Sequence, residues 1–351
     1  MSPATVEDLA SRLHGFRSRY GIPGAGAAIL TVDDPLLVAA SGVRIRGGAD
    51  PVTPDDRWHI GSCAKSMTAA LVARLIQRGA TRWDAPVADL FDHLGSGTHP
   101  GWRAVTMADV LTHRSGMPAN PSQRELRAAL TDPTPAPEQR AALAQRLLGT
   151  APVHPGRFRY SNLGYAVAGA AIERITGKPF EAALGDEILG PLGMTTAGFG
   201  APTGPQPWGH RPRLILAGRG PAVDPANVGP PHPSDNPPVL TPAGRLHLTL
   251  ADWAAFVRLF LGPAADGLLS TSAVETITTP APGSRQGMGW AVPADGDVRR
   301  DIALGQQGSN LRWVATAAIA ADRRRASLVV CNDGRSRLLS AMWTFAAGLL
   351  R

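Results

Sequence analysis

Apolar residues at Leu9, Leu13, Phe16 and Tyr20 recur at helical spacing and stop before Gly21-Ile22-Pro23-Gly24, which predicts a first amphipathic helix. Residues 27–32 and 36–40 are short apolar runs on either side of Asp33-Asp34-Pro35 and predict two strands. From Met67 to Ile76 the chain is apolar nearly all round, the pattern of a buried helix, with Gly79 placed to cap it. Residues 83–87 open a long, mostly helical section, in which 107–116 reads as a short helix running into a loop. Residues 119–150 are rich in Ala and Arg and polar on one face, so solvated helix without function is expected there. Val167, Ala171, Ile172 and Ile175 predict another amphipathic helix ending at Gly177. Residues 201–242 hold twelve prolines, which predicts no regular structure but a long ordered loop or lid that could wall a pocket. A helix resumes over 250–260. From Gly287 the chain turns strand-rich, with antiparallel strands over 304–310, 313–320 and 326–332, before an apolar-faced helix over 338–350. Strands at both ends and helices between them give an α/β (α+β) class. The division expected is a sheet region from residues 1–80 and 270–351, and a mainly helical region, 81–269, that includes the Pro-rich loop.

Composition narrows the function classes. At 351 residues, 44% hydrophobic and 18% charged, the chain can bury a sizeable core as one large or two interleaved domains. The net charge of +7 could suit an anionic partner, but the arginines are spread along the chain and aromatics are 5%. No basic patch is interleaved with aromatics, so no nucleic-acid partner is expected. Arg323-Arg324-Arg325, between two apolar runs, reads as a solvated hairpin turn, and Cys63 and Cys331 as small buried hydrophobes. No signal peptide and no membrane-spanning run is visible, so a cytoplasmic location without membrane contact is expected. There is no His-Glu-x-x-His and no paired-Cys spacing, so neither metal nor cofactor is expected. The absence of Gly-x-Ser-x-Gly argues against an α/β-hydrolase, and Gly24-Ala25-Gly26 precedes its strand, unlike a dinucleotide fingerprint.

The candidate chemistry centres on Ser62-Cys63-Ala64-Lys65, just ahead of the buried helix. Spacing i to i+3 on a helix puts the hydroxyl and the amine on one face, within hydrogen-bond reach. In the first helical turn the Ser62 N–H is an orphan donor, aimed where charge would develop on an attacked carbonyl. Of 35 basic residues only Lys65 and Lys178 are lysine, so a Lys kept at 65 points to chemistry an arginine cannot perform. A desolvated amine can act as a base; a guanidinium stays protonated. Lys178, in Thr176-Gly177-Lys178-Pro179, reads as a surface turn. Tyr160 and Asn162, two apart at a loop-helix junction, can share one cavity, the phenol as proton shuttle and the amide as hydrogen-bonder to a substrate carbonyl.

With these stretches in order, the chain resembles the serine beta-lactamase and penicillin-binding-protein superfamily, most of all its class C-like branch. Ser62-Cys63-Ala64-Lys65 is similar to the Ser-x-x-Lys motif, Tyr160-Ser161-Asn162 to Tyr-x-Asn, and Leu111 to Gly116 and Pro191-Leu192-Gly193-Met194 to accessory stretches. Where the family has a Lys or His, a small residue and Gly, this chain has Gln306-Gln307-Gly308. Gly308 keeps the close backbone approach, and the resemblance implies that Ser309 supplies a second oxyanion N–H. The missing cation puts recognition of a substrate carboxylate in doubt. The implied fold is an antiparallel sheet flanked by helices with an inserted helical region. The implied activity is a serine hydrolase acting on a small ester, amide or peptide through acyl-Ser62, with neutral substrates favoured by Gln306. An acyltransferase using the same acyl-enzyme is one alternative, and a non-catalytic binding module on a degenerate site another.

Overall fold

The computed structural model describes residues 5–91, 97–213, 218–262, 267–293 and 301–351. Its centre is a five-stranded antiparallel sheet made from both chain ends: β1 (Gly24–Thr31), β2 (Leu37–Gly42), β3 (Ile302–Ser309), β4 (Val314–Ala320) and β5 (Arg325–Cys331). The strand order is β2-β1-β5-β4-β3, so the N-terminal hairpin joins the C-terminal meander where Ala27 lies opposite Val329. Four helices cover the sheet or carry the site: α1 (Val6–Tyr20), α2 (Lys65–Gln77), α3 (Asn162–Thr176) and α4 (Arg337–Leu349).

β1 reads as an almost unbroken apolar run because both its faces are covered. Ala25, Ala27 and Ile29 join Leu13 and Phe16 of α1 and Met342 and Ala346 of α4 in one core. Ala28 and Leu30, of the opposite parity, join a larger core that continues through Leu71 of α2 to Ala144 and Ile172. Thus α2, buried on nearly every side as its composition requires, stands between the sheet and the helical region and holds its own first turn rigid.

Two expectations need correction. Within 119–150 the helix Gln123–Thr131 buries nothing, but Ala136–Leu148 buries Leu143, Ala144, Leu147 and Leu148 and, fully, Arg140. Arg140 is held by Glu173 at 2.6 Å and Glu181 at 2.8 Å, and a charge paired on both sides can enter a core that its sequence context does not suggest. In the Pro-rich stretch, His210–Arg213 and Gly218–Ala222 pair as an antiparallel ribbon; residues 214–217 between them lie outside the described residues. A two-strand ribbon is all edge, where proline's missing N–H removes no ladder bond. The remainder of the stretch runs as loop through Asp235 and Asn236 into the tight turn Pro238–Leu240. No helix among the described residues is long and apolar enough to cross a membrane.

Candidate active site

Ser62 lies where the chain passes from the short strand Trp58–His59 into α2. The sequence predicts an α-helical first turn there. The structure has a 3-10 turn, Gly61–Ala64, and α2 begins only at Lys65. Tighter winding eclipses side chains three apart, and Lys65 Nζ comes to 3.0 Å from Ser62 Oγ.

The turn is braced from behind. Gly61 N–H donates to His59 Nδ1 at 3.1 Å, and His59 Nε2 is 2.9 Å from Asp235 Oδ2 in a buried pair. The Nδ1 that accepts the Gly61 N–H leaves Nε2 to donate its proton to Asp235. Burial alone would raise the Asp235 carboxyl, but His59, Arg245 at 3.4 Å and an N–H from Asn310 hold it down at about 2. From the front, β3 meets the turn backbone to backbone. A Cβ on Gly308 would lie 2.0 Å from Ile60 O and 2.6 Å from Ser62 N. One on Gly61, whose φ is 52°, would lie 2.5 Å from Ser309 N. Gly305 exchanges its N–H and C=O with Ala291 beyond the sheet edge, so Ser309, of the same parity, turns its N–H out of that edge toward the turn. The Ser62 N–H, which has no acceptor within its own turn, borders the same seam.

Lys65 is 1% exposed, and besides Ser62 its amine hydrogen-bonds Asn162 Oδ1 at 2.7 Å and the Ala243 carbonyl at 2.5 Å. Burial without a carboxylate partner pushes the amine down to about 7. A neutral amine has two N–H groups and one lone pair; Asn162 Oδ1 and Ala243 O can only accept, so the lone pair is left for the Ser62 hydroxyl. From the other side Tyr160 O–H donates to Ser62 Oγ at 2.8 Å. Tyr160 is 38% exposed as a residue, but burial of its hydroxyl pushes the phenol up to about 12 and keeps it protonated. Asn162 is the first residue of α3. Its amide links Lys65 to Asn120, donating to Asn120 Oδ1 at 2.6 Å.

In front of Ser62 is a cleft of about 80 Å³ walled by Asn120, Asn162, Asn236 and Ser309, with Leu126 and Leu240 as its apolar side. Among the described residues none that lines it is charged. The structure therefore brings together Ser62, Lys65, Tyr160, Asn162, Gly308 and Ser309. Gln306 is not on the cleft wall: it is 4% exposed, and neither polar atom of its amide has a hydrogen-bond partner among the described residues. Asn120, Asn236 and the Ala243 carbonyl escape the sequence reading. The first two stand in Pro-flanked loops without diagnostic spacing, and a main-chain carbonyl leaves no residue-type signal. Among the described residues no group of three or more His, Cys, Asp or Glu could hold a metal.

The chain is similar to known proteins over most of its length. The family model described as Beta-lactamase matches residues 7–349. The chain is 31% identical over 334 residues to Penicillin-binding protein 4 of Amycolatopsis lactamdurans, covering 88% of this chain and 82% of that one. To Esterase EstB of Burkholderia gladioli it is 30% identical over 186 residues, 50% of this chain and 47% of that one. In fold it is similar to the D-amino acid amidase from Ochrobactrum anthropi SV3 solved with L-phenylalanine amide, with a TM-score of 0.76 and 21% identity, covering 98% of this chain and 97% of the amidase.

Proposed function

This chain belongs to the beta-lactamase family of serine hydrolases, and from that premise we propose that it cleaves small, neutral esters or amides through an acyl-Ser62 intermediate. The supporting observation is the closed set of hydrogen bonds at Ser62 Oγ, which accepts from Tyr160 and has the lone pair of a neutral Lys65 as its own acceptor. Ser62 Oγ attacks the substrate carbonyl as its proton passes to Lys65, and the Ser62 and Ser309 N–H groups take up the oxyanion. Tyr160 then protonates the departing alkoxide or amine and regains a proton from the Lys65 ammonium. Water, activated by the same groups in reverse, releases the acid. Lys65 is the acylation base in this reading because its amine lies near 7, whereas the phenol near 12 holds its proton.

The preference for neutral substrates rests on the cleft wall. Three asparagines and Ser309 offer neutral hydrogen bonds, and among the described residues no cationic side chain lines the space to meet a carboxylate. The relatives named as an esterase and a penicillin-binding protein support the reaction class. Intact-protein mass after exposure to a fluorophosphonate, activated esters and beta-lactams tests the proposal. One acyl or phosphonyl group should appear on the wild type and none on Ser62→Ala, with a neutral ester labelling faster than a carboxylate-bearing beta-lactam. Adding an alcohol or amine then divides hydrolysis from acyl transfer by the product formed. Labelling of Ser62→Ala at the wild-type rate would remove Ser62 as the nucleophile.

A further inference from the structure

Tyr160 belongs to no regular element. Residues 154–160 form an exposed stretch that ends where Ser161 caps α3, yet the phenol is held on Ser62 Oγ at 2.8 Å. We propose that His113 is the positioning residue for Tyr160, gripping the chain on both sides of it and stacking on its ring. This role rests on the reading of Tyr160 as the proton shuttle.

The His113 carbonyl accepts the Arg159 N–H at 2.7 Å, and its Nδ1 accepts the Ser161 N–H at 3.1 Å. Residues 159 and 161 are thus both tied to one residue, with Tyr160 between them. The imidazole lies 4.3 Å from the Tyr160 ring, tilted by 31°, and its other side meets Tyr165 at 5.2 Å. His113 is 1% exposed, and its backbone has φ of 61°, the left-handed region that a residue with a Cβ enters only under strain. In that conformation its carbonyl and its ring both meet the same stretch of chain. Glycine or asparagine would adopt it more readily, but glycine brings neither acceptor nor ring and asparagine brings no ring. Acceptance at Nδ1 requires the unprotonated nitrogen. Burial and the nearby Lys65 charge push the imidazole down to about 3, so that nitrogen stays available wherever the enzyme would work.

A core histidine that merely fills space predicts a different result from one that acts through Tyr160, and a double-mutant cycle separates them. His113→Asn keeps an acceptor and tolerates the backbone but loses the ring; His113→Phe keeps the ring and loses the acceptor. Each should lower kcat for an ester with a poor leaving group roughly tenfold, a part of the 10²–10⁴ range of positioned acid-base catalysis, with KM little changed. In the Tyr160→Phe background neither should lower it further. A loss that multiplies with Tyr160→Phe overturns the positioning role while acyl-Ser62 labelling leaves the hydrolase reading standing. Tyr160→Phe hydrolysis at the wild-type rate overturns the positioning role along with the shuttle. Should both variants fail to fold, nitrogen chemical shifts of the wild-type histidine decide: an unprotonated Nδ1 on His113 at pH 7 is required, and an Nδ1–H tautomer overturns the proposal.

Discussion

With two N–H groups committed to Asn162 and Ala243, the Lys65 amine has only a lone pair left for Ser62, and a guanidinium has no such lone pair to offer. Lys65→Arg should therefore be nearly as inactive as Lys65→Ala, each losing about 10³-fold or more in kcat/KM for ester hydrolysis. An Arg variant that keeps most of the rate would reduce Lys65 to a source of charge. In the wild type log kcat/KM should climb with unit slope below about 7, level off as Lys65 loses its proton there, and decline only toward 12, where Tyr160 ionises. The same shift acts on stability with a definite sign. A lysine whose folded pKa is lowered binds fewer protons folded than unfolded between about 7 and its ordinary value, so stability rises with pH across that window. Lys65→Met should lose that slope, and urea titrations at pH 7 and 10 measure it. At this scale the sequence is legible where scarcity speaks: two lysines in the chain made position 65 conspicuous. It is silent on Ala243 and Asn120, whose roles come from where the fold brings them.

On β3, the face that Gly308 presents to the nucleophile turn also carries Gln306, whose buried amide has no hydrogen-bond partner among the described residues. A buried polar group left unpaired costs about 1–3 kcal/mol, so Gln306→Leu should leave the melting temperature unchanged or raise it. The ratio of acylation rates for a neutral ester and a carboxylate-bearing beta-lactam should not move. A changed ratio would return substrate recognition to Gln306. Strands and helices with strong periodicity were readable because burial imposes it: β1 is covered on both faces, and α2 is enclosed. The 3-10 turn before α2, the buried Arg140 and the ribbon among the prolines were not. The first two depend on partners far along the chain, β3 for the turn and Glu173 with Glu181 for Arg140, and the ribbon has no alternating apolar pattern to announce it.

Across the whole molecule, the Pro-rich stretch is tied to the nucleophile through Asp235, His59 and Gly61. The Asp235 carboxyl, held at about 2, contributes stability that is complete above its ordinary value near 4 and is lost as pH falls through 2. Asp235→Asn should be less stable than the wild type at pH 7 and should lose less of its stability between pH 4 and 2. Thermal melts over that range, with wild type and variant run in parallel, give the difference directly, and equal slopes would remove Asp235 from the acid response. Joining of the two chain ends in one sheet could be anticipated from the strand pattern and the family resemblance. The charge of +7 gave no guide to the site, whose cleft wall is neutral.

The seam between Gly61 and Gly308 has a genetic consequence. Every single-base missense change of a glycine codon introduces a side chain with a Cβ, and at these two positions even the smallest collides with main chain that has no room to yield. In a randomly mutagenised library selected for ester hydrolysis, both codons should survive only as synonyms. Gly15 and Gly348, where an added Cβ meets nothing within 4 Å, should drift freely to alanine in the same population. The catalytic turn would then be inherited as a frozen pair of positions, set apart from variable glycines by nothing visible in either codon.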